Sequence, residues 1–151
     1  MKQIRDFKVK AVERYGELYA LLTLHTADGL ALPDCLPGQF VQVAVETPGV
    51  FLRRPISINS VDAPAGVMTL LVRDAGNATH KLINLPEGST LNIILPLGNG
   101  FTTDVSIGSR VLLAGGGVGV APMFYLGTEL KRKGLTPEFL LGARSADQLL
   151  M

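Results

Sequence analysis

The sequence predicts a closed antiparallel β-barrel followed by the first strand–helix–strand unit of an α/β domain. Over the first two thirds of the chain, short runs of alternating apolar and polar residues are separated by glycine and proline turns, which is typical of all-β domains. Near Asp104 the pattern changes to a continuous apolar run, a glycine-rich turn and a helical stretch, which is typical of a βαβ unit. We therefore place a barrel domain at residues 1–104 and the incomplete beginning of a second domain at residues 105–151.

Six strands are expected in the first domain, each bounded by turn-forming residues. They lie at 7–13, 18–26, 39–45, 53–59, 67–73 and 90–95. A short helix is expected at 78–85, with Asn77 as its N-cap. Six short strands joined by turns favour a closed barrel, because closure leaves no exposed sheet edge.

The second domain is predicted to begin with a strand at 110–114, a helix at 121–133 and a strand at 138–143. Pro122 is tolerated in the first turn of a helix, and Gly134 is placed to end it. The continuous apolar strand suits a parallel sheet that is covered on both faces. Two parallel strands and one helix do not complete such a sheet. Either the chain is a fragment or the missing strands come from elsewhere, and the first interpretation is favoured.

Composition excludes several function classes. The 151 residues are 47% hydrophobic and 18% charged, with a net charge of +1, which gives no electrostatic reason to expect nucleic acid or a membrane surface as a partner. The one cysteine, Cys35, excludes an intrachain disulfide framework and cannot alone hold an iron–sulfur cluster. We expect it to be a small loop residue. With no signal core and no apolar run approaching ~20 residues, the expectation is a soluble cytoplasmic protein.

The glycine-rich run at 111–122 predicts a binding site for a pyrophosphate. Glycines let a backbone approach a bulky anion closely, and the N-terminus of the following helix attracts negative charge. The spacing Gly117-x-Gly119-x-x-Pro122 differs from the usual dinucleotide fingerprint, because the proline stands where a third glycine is expected. A glycine-rich strand-to-helix turn that holds no ligand is the alternative.

The segment Arg54-Pro55-Ile56-Ser57 predicts a second site. An arginine can hold a phosphate by a forked pair of hydrogen bonds, and a proline within a strand marks an edge or a bulge. Ser57 shares a side of the strand with Pro55 and could hydrogen-bond a ring held against the backbone. The alternative is an edge strand on which Arg53 and Arg54 are solvated.

Two more segments are candidates for contact with a ligand. The strand ending at Arg73 offers a second cation, followed by a turn at 74–79 whose amides are free to meet a phosphate. Alternatively, Arg73 pairs with Asp74 or with a neighbouring strand. The tight turn at 96–101 has glycines that would let it lie beside a flat ligand, and a plain turn between the domains is the simpler interpretation.

No arrangement typical of a nucleophilic triad or a metal site appears in the sequence. His25 is expected at the surface, and His80 is expected to be solvated or linked to a helix cap. We therefore predict no catalytic side chain.

In order and spacing, five motifs resemble the ferredoxin reductase superfamily, and within it most closely the family of dihydroorotate dehydrogenase B electron transfer subunits. The motifs lie at 37–40, 54–57, 71–73, 96–101 and 115–122, and the similarity extends to the Leu-Gly-Ala-Arg-Ser run near the end. Many ferredoxin reductases carry a flavin-stacking tyrosine where this chain has Ile56. The Arg-Pro-aliphatic-Ser form is similar to the dihydroorotate subfamily.

The resemblance implies that the barrel binds FAD and that the second domain binds a nicotinamide nucleotide. Arg54 and Arg73 would then face the FAD phosphates, and Ser57 would lie near the reactive N5 edge of the flavin. The glycine run would form the floor of the NAD pyrophosphate site. The cofactor-binding residues implied in this way are Arg54, Pro55, Ile56, Ser57, Leu71, Val72, Arg73, Ala78, Thr79, Gly98, Gly117, Gly119 and Pro122.

The implied activity is electron transfer in pyrimidine biosynthesis, within a hetero-oligomer. Electrons from a partner subunit that contains FMN and oxidises dihydroorotate would pass through a [2Fe-2S] cluster to FAD and then to NAD⁺. In the family, the cluster cysteines lie beyond the position of residue 151, so this chain carries no cluster ligands. The alternatives are a reductase subunit of a hydrogenase, a ferredoxin–NADP oxidoreductase, or a flavin-binding module without turnover. Because of Arg144 and Ser145, the sequence does not decide whether the bound nucleotide is NAD or NADP.

Overall fold

The structure is a computed structural model that describes residues 1–150. Its strands are β1 (Gln3–Tyr15), β2 (Tyr19–Thr26), β3 (Phe40–Val43), β4 (Arg54–Asp62), β5 (Val67–Arg73), β6 (Thr90–Leu97), β7 (Leu112–Gly116) and β8 (Glu138–Gly142). Its helices are α1 (Asn77–Ile83) and α2 (Ala121–Arg132), with 3-10 turns at Gly117–Val120 and Ala146–Gln148.

The predicted six-stranded antiparallel barrel is confirmed. Its strands follow the closed order β1-β2-β5-β4-β3-β6. β1 is longer than expected because its first half pairs with β6, from Gln3 opposite Leu95 to Lys8 opposite Thr90, while its second half pairs with β2. A bulge between Val9 and Ala11 lies between these two halves, and a bulge of this kind bends a strand.

Alternating side chains of the strands fill the barrel. Phe7, Leu22, Leu70 and Ile93 are at most 1% exposed and belong to one continuous core. α1 adds buried side chains to that core, including Leu82. Burial of each such side chain is worth about 1.5–3 kcal/mol, so the alternation seen in the sequence is the main source of the barrel's stability.

The prediction that Asn77 caps α1 is wrong. Asn77 is the first helical residue, and Gly76 occupies the N-cap position without a side-chain cap. The Thr79 hydroxyl stabilises this turn instead, because it accepts from the Ala75 amide at 2.8 Å and donates to the Gly76 carbonyl at 3.1 Å. The Thr79 side chain, which lies within the first turn, therefore forms the hydrogen bonds that a capping residue was expected to form.

The second unit has the predicted strand–helix–strand order. β7 and β8 are parallel, with Leu113 opposite Phe139. Pro122 lies in the first turn of α2, and Gly134, at a φ of +87°, follows the helix end. A Cβ on Gly127 would clash with the Phe139 ring. Glycine at this position therefore allows α2 to pack closely on β8.

The two units are in direct contact. Ala121, at the start of α2, is 1% exposed and packs in a cluster with Tyr19 of β2 and Leu71 of β5. The Tyr125 hydroxyl donates to the Cys35 carbonyl oxygen at 2.7 Å. Cys35 lies in the loop before β3, as expected, and its thiol donates to the Pro33 carbonyl at 3.3 Å. The second unit is thus fixed to the outer face of the barrel.

None of the helices within residues 1–150 combines the length and the apolar character that crossing a membrane requires.

Candidate functional site

β4 and β5 are paired along only part of their length. Their ladder runs from Asp62 opposite Val67 to Ile58 opposite Leu70, where it stops. If the register continued, the three residues 55–57 would lie opposite 71–73, but none of these pairs forms. On their other sides, 54–57 pair with β3 and 71–73 pair with β2. Two unpaired strand edges therefore face each other across a gap in the barrel wall.

Pro55 helps to keep this gap open. It lies opposite Gln42 of β3, and it has no N–H with which to bond β5 on the other side. The sequence-based inference that Pro55 marks an edge is therefore confirmed for this half of β4. The gap also brings together the two predicted motifs at 54–57 and 71–73, which lie on the two strands of the β4–β5 hairpin.

The adjacent arginines before and at the start of β4 have different environments. Arg53 donates to the carbonyl of Asn92 at 3.0 Å and to that residue's side-chain oxygen, so it links the start of β4 to β6. The alternative in which Arg53 is simply solvated is therefore wrong. Arg54 makes one hydrogen bond among the described residues, at 3.3 Å to the Leu52 carbonyl. Its guanidinium keeps most of its donors available.

Arg73 does not pair with Asp74, which was one of the alternatives. The Asp74 carboxylate lies 2.6 Å from the His80 ring nitrogen instead. The Nε atom of Arg73 is buried and has no hydrogen-bond partner within residues 1–150. Because a buried donor without a partner costs about 1–3 kcal/mol, this atom points to an interaction that the polypeptide alone does not supply.

The expected residues of α1 and of the turn at 96–101 already have structural roles. Ala78 is 4% exposed and packs in the barrel core, so only its backbone could meet a ligand. The Thr79 hydroxyl is engaged by its own turn. Gly98 has a φ of +77°, and a Cβ there would lie 2.9 Å from the Phe40 ring. Packing against Phe40 therefore accounts for this glycine, and its contact with a ligand stays a prediction.

The glycine run forms a 3-10 turn at Gly117–Val120 that leads directly into α2. Gly117 has a φ of +55°, a conformation that side-chain-bearing residues rarely adopt. A Cβ on Gly119 would meet nothing within 4 Å. Pro122 is within the first turn of α2, where a proline is tolerated because the N–H that it lacks would have no acceptor within the helix.

A cavity of about 530 Å³ lies beside this turn. Its lining residues come from both units and are Tyr19, Arg73, Gly116, Gly117, Val118, Gly142, Ala143, Arg144 and Gln148. Two of them are arginines and none is acidic. The cavity brings Arg73 and Gly117 together, whereas Arg54 and Gly98 lie outside its lining. Sequence analysis missed Tyr19, because its place at the cavity depends on the β2–β5 register that sets it opposite Arg73.

Neither histidine belongs to the gap between β4 and β5 or to the lining of the cavity. His80 is exposed on α1 and interacts with Asp74, whereas His25 is half-buried in β2 opposite Val67. Residues 1–150 contain no group of three or more His, Cys, Asp or Glu side chains placed to hold a metal ion. The site is therefore one of backbone edges, arginines and glycines.

Curated relatives are named as electron transfer subunits of dihydroorotate dehydrogenase B (NAD⁺). The chain is 41% identical to that of Listeria monocytogenes serotype 4a over 119 residues, which is 78% of this chain and 47% of the relative. It is 38% identical to that of Desulforamulus reducens over 151 residues, which is 99% of this chain and 56% of the relative. The chain thus spans about half the length of the curated relatives that it matches. No family model matches.

Solved structures agree with this similarity. The FAD/NAD-binding domain of a nitric oxide dioxygenase from Vibrio cholerae superposes with a TM-score of 0.81 at 25% identity, covering 95% of this chain and 64% of that one. An NADH-dependent reduced ferredoxin–NADP oxidoreductase superposes with a TM-score of 0.81 at 29% identity, covering 96% and 51%. The resemblance inferred from the five motifs is confirmed: the fold is ferredoxin reductase-like, and relatives at about 40% identity are oxidoreductase subunits.

Proposed function

We propose that this chain is the FAD-binding part of an electron transfer subunit that passes electrons derived from dihydroorotate to NAD⁺. Electrons would reach it from a separate FMN-containing subunit that oxidises dihydroorotate, by way of a [2Fe-2S] cluster held outside residues 1–151. The proposal places the protein in pyrimidine biosynthesis, in a hetero-oligomer. The named relatives support it, and the observation that carries it is the gap between β4 and β5.

The residues around the gap fit the flavin of FAD. Two facing strand edges present unpaired backbone donors and acceptors, which suits a flat ring with polar atoms along its edge. Arg54, at one end of the gap, has donors available for a phosphate. When bound, FAD would supply the redox chemistry, because it can accept electrons singly and exchange a hydride with a nicotinamide.

The chain's own residues would position the ring. Pro55 keeps the β4 edge unpaired, and Ser57 offers a hydroxyl on the same face of the strand. Ile56 faces the other way and packs partly against the barrel core, which would fix the backbone that carries Ser57. Val72 on β5 is fully buried and holds the opposite edge in place. These contacts would bind and orient the ring while limiting access of water to it.

The composition of the chain supports the proposed location and partners. The single cysteine suits a reducing compartment, and we place the protein in the cytoplasm. The net charge of +1 gives no reason to include nucleic acid or a membrane surface among its partners.

Flavin binding is the first test. The purified chain is expected to take up one FAD per molecule, and Arg54→Met and Ser57→Ala are each expected to weaken FAD binding by about tenfold or more. Arg110→Met is the matched control, because Arg110 pairs with exposed Glu138 away from the gap. Native chain that takes up no FAD, or variants that bind as tightly as the control, would contradict the proposal.

A second candidate is the reductase part of a ferredoxin–NADP oxidoreductase, which the 29% identical structure of that kind favours. The two candidates differ in the partner that donates electrons. Isolation of the native complex should yield a co-purifying FMN protein that oxidises dihydroorotate. A complex that lacks this activity and exchanges electrons with ferredoxin would establish the second candidate instead.

A further inference from the structure

The β4–β5 ladder contains a bulge close to the gap. One register extends as far as Ser60 opposite Thr69. The last pair, Ile58 opposite Leu70, is shifted by one residue, so Asn59 is an extra residue on β4. A bulge of this kind bends its strand and increases the local twist. It therefore lies at the place where β4 begins to separate from β5.

The bulge directs two consecutive side chains of β4 to the outside of the barrel. Asn59 and Ser60 both line a cavity of about 460 Å³ between the barrel and α2. In a regular strand two successive side chains would point to opposite faces. On either side of them, Ile58 is fully buried and Val61 packs against the barrel core. The extra residue is thus accommodated while both halves of β4 keep their apolar side chains in the core.

A cluster of three polar side chains, Asn59, Ser60 and Thr69, holds the bulge in place. The Thr69 hydroxyl oxygen accepts from the side-chain amide of Asn59 at 3.0 Å, and it lies 2.5 Å from the Ser60 hydroxyl oxygen. Every other residue that lines the cavity is apolar or aromatic, Met123 and Phe124 among them. Because polar groups in apolar surroundings are costly unless they are paired, these hydrogen bonds favour the bulged register over a slipped one.

The position of the bulge affects what Ser57 presents to the gap. The Ile58 amide donates to the Gln39 carbonyl at 3.1 Å, on the side of β3. Because successive amides along a strand alternate in direction, the Ser57 amide is directed the other way, toward β5 and the gap. Ser57 comes shortly before Asn59 in β4, so a bulge that straightened would move this amide relative to β5.

We propose that Asn59, Ser60 and Thr69 are positioning residues of the flavin site, which lock the bulge and thereby keep the gap between β4 and β5 open for the flavin ring. This rests on the proposed function, since the flavin is taken from there. The three side chains act through the backbone of β4 and need no contact with the ring. Without the lock, β4 would be free to straighten and to extend its pairing as far as Ser57 opposite Leu71.

Hydrogen exchange in the FAD-free chain tests the lock without the flavin. In the native chain the Ser57 amide is expected to exchange quickly, because Ser57 and Leu71 do not form a pair. Deletion of Asn59 removes the extra residue and should allow this pair to form, so that exchange of the Ser57 amide, measured by NMR, slows by about tenfold or more. The deletion should also weaken FAD binding by about tenfold or more. Unchanged exchange in the folded deletion variant would show that the bulge does not hold the gap open.

Substitutions test the side chains of the cluster. Thr69→Val removes both hydrogen bonds and keeps the shape, whereas Asn59→Ala removes one of them. Each is expected to weaken FAD binding by about fivefold or more and to change the visible circular dichroism of bound FAD, which reports how the ring is held. Thr69→Ser keeps the hydroxyl and should bind FAD within about twofold of the native chain. Thr23→Val is the matched control, because Thr23 lies directly opposite Thr69 on β2 and outside the lining of the cavity.

The outcomes separate this proposal from the proposed function. If the native chain binds FAD, and Thr69→Val and Asn59→Ala bind it equally tightly with unchanged circular dichroism, the cluster does not position the flavin and the flavin site still stands. Equal losses in Thr69→Val and Thr23→Val would also contradict the proposal. A native chain that takes up no FAD contradicts the proposed function, and the exchange of the Ser57 amide then still shows whether the bulge is locked. Urea unfolding identifies variants that do not fold, and if the deletion variant is one of them, the substitutions decide.

Discussion

Tyr19 and Arg73 lie directly opposite each other in the β2–β5 ladder, and both reach the cavity beside the glycine turn. This pairing places a hydroxyl and a guanidinium of the barrel next to backbone that belongs to the second unit. The same stretch of β5 forms one side of the gap toward β4. The end of β5 therefore contributes both to the gap and to the cavity.

Arg53 and Arg54 are expected to separate stability from flavin binding. Arg53→Met removes hydrogen bonds to Asn92 and should lower the free energy of unfolding by about 1.5–3 kcal/mol. Arg54→Met should change it by less than about 0.5 kcal/mol, because Arg54 makes one long hydrogen bond to the protein. Urea unfolding of the FAD-free chain measures both. Equal losses in the two variants would contradict the assignment of Arg53 to structure and Arg54 to the ligand.

Gly98 is expected to tolerate alanine less well than Gly88. Both glycines have a φ near +80°, at +77° and +84°, so each alanine variant pays a conformational cost of about 1–2 kcal/mol. A Cβ at Gly98 would also lie 2.9 Å from the Phe40 ring, whereas one at Gly88 would meet nothing within 4 Å. Gly98→Ala should therefore cost about 1–3 kcal/mol more than Gly88→Ala in urea unfolding. If the two costs are equal, packing against Phe40 does not explain this glycine.

Cys35 is expected to react slowly with thiol reagents in the folded protein. Burial, with a smaller contribution from Asp34, raises the pKa of its thiol from 9.0 to about 11. At pH 8 the reactive thiolate fraction is therefore about 100-fold smaller than in an unfolded chain. Alkylation rates measured in buffer and in urea test this. Similar rates in the two conditions would show that the thiol is not held as the structure places it.

The hydrogen bond from Tyr125 to Cys35 should make the junction of the two units sensitive to high pH. Burial, followed by the nearby Cys35 and Glu129, raises the pKa of Tyr125 to about 12. A raised pKa means that the folded state favours the neutral phenol, so this contribution is complete below the ordinary pKa of 10.0 and disappears as the pH rises toward 12.

Tyr125→Phe tests this relation directly. Near pH 7 the variant should be less stable by about 0.5–1.5 kcal/mol, because the bond to the Cys35 carbonyl is lost. Between pH 10 and 12 the difference from the native chain should shrink, and unfolding midpoints across this range measure it. A difference that stays constant with pH would exclude a role for the phenol's ionisation.

Much of the fold could be predicted from local sequence. Alternation predicted the barrel strands, because only one face of each strand enters the core. Pro122 and Gly134 correctly marked the ends of α2. The prediction that Asn77 caps α1 was wrong because Gly76 occupies the N-cap position and the Thr79 hydroxyl stabilises the turn. Several side chains and backbone groups can perform that local task, and the sequence alone does not rank them.

The sequence by itself determined the strand pattern and the motifs at 54–57, 71–73 and 115–122, because those depend on residues close together in the chain. Only the tertiary structure decided where each arginine acts. Arg53 donates a hydrogen bond to Asn92, Arg54 lies beside the gap, and Arg73 lines the cavity beside the glycine turn. These placements follow from strand register and from the packing of α2 on the barrel, which join residues far apart in sequence. A shift of register by one residue would move each side chain to the opposite face of its strand, so no local pattern could have specified them.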